Sequence, residues 1–120
     1  MIPPYYSPLI NSLIGTTRSN KTHWSRTSSP DQFKLMLEKG MIVISCKRDV
    51  LSQYIKIEIY DELGKIVDSI SENETNSFHE YSILLNLYNA IKEQKDSRTQ
   101  QKINDLMSEI MSGNDIGKEE

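Results

Sequence analysis

Residues 54–60 read Tyr-Ile-Lys-Ile-Glu-Ile-Tyr, a strict alternation that only a strand can use. Successive side chains of a strand point to opposite faces, so Ile55, Ile57 and Ile59 share one face. Tyr54, Lys56, Glu58 and Tyr60 share the other. On a helix, at about 100° per residue, the three isoleucines would scatter around the axis. A strand with one apolar face must be covered on that face, so the chain has to build a sheet and lay something over one side of it.

The flanking segments offer the neighbours. "MIVISCK", residues 41–47, is β-branched and apolar. "KIVDSIS", residues 65–71, places Ile66 and Ile70 on either side of Asp68. It follows residues 54–60 through "DELG", where Gly64 can take a positive φ in a short hairpin loop. Upstream, "SSPDQFKLMLEKG" fits two patterns. As a helix it would be capped by Ser29 and stopped by Gly40. As a strand, Phe33, Leu35 and Leu37 alternate with Lys34, Met36 and Glu38. The strand reading is preferred, because the next segment can pair with it across the Glu38–Gly40 turn. Short loops between neighbours make the whole a four-stranded antiparallel meander.

Helices flank the meander. "YSPLINSLIG" has Ser7 as N-cap, Pro8 at the first helical position and Gly15 at the exit, with Leu9, Ile10, Leu13 and Ile14 on one face. Residues 16–30 are polar and read as loop, with Trp24 the one large apolar residue. After the loop "ENETNS", Ser77 and Glu80 suggest a capping box opening a helix whose face is lined by Phe78, Tyr81, Leu84, Leu85, Tyr88 and Ile91. A further helix over residues 97–112 carries Ile103, Leu106, Met107, Ile110 and Met111. The expectation is therefore a single α+β domain over residues 1–112. It has a short N-terminal helix, a four-stranded antiparallel sheet, and one or two C-terminal helices packed on that sheet. Residues 113–120 are expected to form a flexible tail.

Composition removes several function classes. The 120 residues are 37% hydrophobic and 26% charged, as in globular domains. No apolar run approaches the roughly 20 residues of a membrane span, and the first residues lack the basic and apolar regions of a signal peptide. The single cysteine, Cys46, allows no disulfide framework, so a reducing cytoplasmic location is expected. Frequent Lys, Asn and Ile are what AT-rich coding in a bacterium or phage would give. The net charge is −3, yet the first 30 residues hold Arg18, Lys21 and Arg26 and no acid. An acidic whole argues against broad binding to a phosphate backbone.

No motif announces chemistry. Glu58, Asp61, Glu62 and Asp68 form a run of carboxylates, but a solvated hairpin explains each of them, with Asp61 in the turn and Lys56 or Lys65 able to pair with Asp68. Their spacing does not match a calcium loop. Cys46, His23 and His79 do not match a zinc spacing, and Cys46 stands in no nucleophile motif. The five glycines are dispersed, so no phosphate-cradling loop is present. No catalytic residue, metal or cofactor is assigned, and the reading leans away from an enzyme, with an unrecognised catalytic site as the remaining alternative. Two surfaces remain. Tyr54, Lys56 and Tyr60 on the outer sheet face suit a protein partner or a second copy. Arg18, Lys21, Trp24 and Arg26 suit nucleic acid, through stacking and cations, if Trp24 is not simply anchoring its loop to the core. The leading expectation is a small cytoplasmic protein-interaction module without catalytic activity, able to self-associate. The nucleic-acid accessory role is the alternative.

The order of "PLINSLI", "HWSRT", "FKLMLEKGMIVIS", "YIKIEIYDELGKIVDSI" and "EYSILLNLYNAIKEQ" resembles a pattern found among small uncharacterised bacterial and phage α+β proteins. The similarity runs over most of residues 9–94. It implies the strand reading of residues 33–38, and it brings no activity, cofactor or site residue with it.

Overall fold

The computed structural model describes residues 2–75, 77–113 and 117. In chain order it forms α1 (Tyr6–Arg18), β1 (Ser25–Arg26), β2 (Gln32–Leu37), β3 (Gly40–Arg48), β4 (Gln53–Asp61), β5 (Ile66–Asn73) and α2 (Phe78–Ile110). The strands lie in sequence order, each antiparallel to the next. The alternation in β4 sets the register. Phe33, Ile44, Ile57 and Ile70 stand opposite one another across four strands, and Leu35, Ile42 and Ile59 form a second row. Both helices cover this face: Ile10, Leu13, Leu84, Leu87 and Ile91 close the core over it. Each large side chain enclosed here contributes about 1.5–3 kcal/mol by leaving water.

The sheet has five strands rather than the expected four. The extra strand, β1, lies within the stretch read as loop and pairs Ser25 with Lys34 and Arg26 with Phe33. Two residues are too few to show a period. Trp24 draws them in: its side chain is 1% exposed, and its indole N–H donates to Thr17 Oγ1 at 3.0 Å. Burying that ring brings the next residues alongside β2.

α1 runs past Gly15 to Arg18. The Thr16 hydroxyl donates to Ser12 O at 2.8 Å, and Thr17 is buried as the acceptor for Trp24, so the last turn is held from both sides. The helix starts one residue before Ser7, with Tyr6 N donating to Pro3 O at 3.0 Å. Pro8 then falls in the first turn, where a missing N–H loses no helical bond.

The C-terminal helices are one continuous helix of 33 residues, without Gly or Pro to break it. Ser77 makes no side-chain cap. Glu80 instead accepts the backbone N–H of Ile2 at 2.5 Å, which ties the N-terminal segment to α2. Phe78 is 70% exposed and lies outside the core. The expected tail over residues 113–120 falls mostly outside the described residues.

A β-bulge in β5 puts Ile66 and Asp68 on opposite faces. Ile59 pairs with Asp68, but Tyr60 pairs with Ile66, so Val67 is the extra residue. Ile66 and Val67 are left exposed, while Asp68 turns to the helix-covered face and accepts a hydrogen bond from Tyr6 Oη at 2.7 Å. The cross-strand pairing of Asp68 with Lys56 or Lys65 does not form; Lys56 Nζ lies 3.8 Å from Glu58 on its own strand.

Candidate functional site

The carboxylate run does not converge. Asp61 Oδ1 accepts the backbone N–H groups of Leu63 and Lys65, both at 2.9 Å, and so builds the β4–β5 turn. Glu62 is exposed in that turn, Glu58 is on the open sheet face, and Asp68 is on the opposite face. Burial pushes the Tyr6 hydroxyl far above its ordinary pKa, and the hydrogen bond to Asp68 pushes it further. Among the described residues no group of three or more His, Cys, Asp or Glu side chains could share a metal ion.

Cys46 opens onto a cleft of about 320 Å³ at one end of the sheet, with Asp31, Arg48, Gln53, Tyr88 and Lys92 around it. Burial pushes the thiol above its usual pKa, and the Asp31 carboxylate adds to this. Burial likewise pushes Tyr88 up to about 12, aided by Cys46 and Asp31. The two groups stay protonated at neutral pH. They offer polar contacts, but neither is an activated nucleophile or base.

The basic segment around Trp24 is arranged differently from a stacking platform. The enclosed indole has no face free for a base. Gln94, itself buried on α2, locks the loop: its Nε2 donates to Thr22 O at 2.7 Å and Thr17 O at 3.2 Å. Arg18 ends α1, and Lys21 is exposed just beyond it. Arg26 lies over the Phe33 ring at 5.6 Å and 3.9 Å from Asp96. It shares a groove of about 520 Å³ with Lys95, Arg98 and Lys102 of α2, which Thr99 and Ile103 also line. Burial lowers the Lys95 pKa, and Arg98 and Arg26 lower it further. His23 Nδ1 meets the Arg98 guanidinium. The sequence signal for this cluster is the spacing of Lys95, Arg98 and Lys102, which repeats on one helix face.

Tyr54, Lys56 and Tyr60 do share the open face of the sheet, all half-buried. Tyr60 Oη donates to Glu58 at 3.2 Å, so much of the face is engaged with itself. Val43 and Ser45 lie buried among these side chains. At one end the cross-strand row Met36, Met41, Tyr60 and Ile66 is apolar.

The least engaged surface is the second half of α2. Its first half buries Tyr81, Leu84, Leu87, Tyr88, Ala90, Ile91 and Gln94 against the sheet and α1. Every residue from 96 to 110 is exposed. At about 1.5 Å per residue the helix is roughly 50 Å long, and the molecule measures 58 Å in its longest direction. Ile103 is 51%, Leu106 48%, Met107 52% and Ile110 60% exposed, with Met111 just beyond the helix. The spacing of these residues makes one continuous apolar stripe.

The chain matches no protein-family model, no curated protein and no solved structure.

Proposed function

We propose that this chain is a protein-interaction module whose working surface is the exposed half of α2. One observation carries the reading: an apolar stripe at helical spacing, half in water, on a helix segment that the domain does not cover. Isolated helices of this length are marginal in water, and most helical stability comes from packing an apolar face. A stripe extended beyond its own core fits the helix-in-groove mode of recognition. The tyrosine face supports the reading less well, since Tyr54, Lys56 and Tyr60 are already half-buried among their neighbours.

Affinity capture from a lysate of the source cells, with nuclease added, tests this when the intact chain and Leu106→Ser/Ile110→Ser are run in parallel. The expected result is a stoichiometric protein partner lost in the variant, with an unchanged melting temperature. Equal capture by both would overturn the surface assignment.

A second reading has its own observation: Arg26, Lys95, Arg98 and Lys102 around one groove are suited to an anionic backbone. It predicts oligonucleotide binding that weakens steeply with salt and in Arg98→Ala. With Trp24 enclosed, this contact would use cations without stacking. Flat titrations at low salt would end it.

A further inference from the structure

Resting on that reading, we infer that the exposed half of α2 pairs antiparallel with the same segment of a second copy of this chain. The first argument is the order of charges. Residues 95–102 hold Lys95, Arg98 and Lys102 against one acid, Asp96. Residues 103–110 hold Asp105 and Glu109 and no base. Within a single helix this order is unfavourable, because acids are stabilised near the N-terminus and cations near the C-terminus. The segregation therefore gives α2 nothing on its own. It suits a helix of opposite polarity, which brings Glu109 of the second copy towards Lys102 of this one.

The apolar stripe has the same symmetry. Two antiparallel copies centred between Leu106 and Met107 set Ile103 opposite Ile110 of the second copy, and Leu106 opposite Met107 of the second copy. Such a contact is isologous and closes on itself. Lys102 then comes within reach of Glu109 of the second copy, and the pair occurs twice. A parallel arrangement would set bases against bases and acids against acids.

A stripe this short gives weak pairing that depends on concentration.

Sedimentation equilibrium of the intact chain, from low micromolar to submillimolar concentration, is the test. The expected mass rises from 13.9 kDa towards twice that value. Lys102→Glu and Glu109→Lys should each weaken dimerisation roughly tenfold, and mixing the two variants should restore it. Both positions are exposed, and unchanged circular dichroism will show that the helix survives. A single-chain mass throughout would overturn the proposal, as would a dimer indifferent to both charge reversals. An oligonucleotide bound by a chain that never dimerises would overturn it too. A monomer whose captured partner is lost in Leu106→Ser/Ile110→Ser would defeat self-pairing and leave the interaction reading standing.

Discussion

Gly40 and Gly15 show how differently two glycines can matter. Gly40 has φ +156°, and a Cβ there would lie 2.1 Å from the carbonyl oxygen of Tyr60. That oxygen belongs to β4, so relief would require moving the strand. Gly40→Ala should cost about 3 kcal/mol or more, read as a large drop in the urea midpoint. Gly15 lies within α1 with nothing within 4 Å of such an atom. Gly15→Ala should stabilise the domain by about 0.5–1 kcal/mol, raising the same midpoint. The sequence marks both as helix or turn punctuation; only the strand crossing tells them apart. Asp61 was legible as a turn residue, because its side chain bonds the backbone of its own loop. Asp68 was not, because its charge suggests the wet face, whereas it lies two residues from Ile70 and shares the helix-covered face with it; the bulge at Val67 turns only Ile66 away. Tyr88 gives a test in pH. Its folded pKa of about 12 stands above the ordinary value near 10. Its contribution is complete below about pH 10 and is lost as the pH rises from there towards 12. Tyr88→Phe should flatten the fall in melting temperature over that window, and an equally steep fall would contradict the assignment.

At the scale of elements, long periods were readable and short or continuous features were not. β3 and β4, nine residues each, announce themselves by an apolar run and an alternating run. β1 has two residues and exists because Trp24 is buried and Gln94 binds its loop, a tertiary cause that no local pattern carries. The two expected C-terminal segments proved to be one helix because the polar stretch Lys92–Thr99 contains good helix formers and no breaker. That stretch marks where the core stops, and not where the helix stops. Truncation after Ser97 should therefore leave the thermal midpoint nearly unchanged while helical ellipticity falls. A loss of cooperative unfolding would show that the exposed half supports the domain. The basic cluster is not legible in the sequence because Arg26 is distant from Lys95, Arg98 and Lys102, and only the docking of β1 beside α2 joins them.

On the scale of the whole molecule, the sheet buries one face under two helices and leaves the other face half in water. The fold class followed from the alternation in β4, its apolar neighbours and the helical spacing on either side of them. The proposed working surface did not, since apolar residues at helical spacing look the same whether they enter a core or leave it. What separates them is the reach of the sheet: Gln94 is the last buried residue of α2, and Ile103 to Ile110 lie beyond it. Amide hydrogen exchange, followed residue by residue as the chain associates with its partner or with itself, tests this division most directly. The account predicts that residues 99–110 exchange fastest of all helical amides in the dilute chain and become protected on association, with β4 unchanged. Protection gained at Tyr54–Tyr60 instead, with residues 99–110 still exchanging freely, would contradict it and move the working surface to the open face of the sheet.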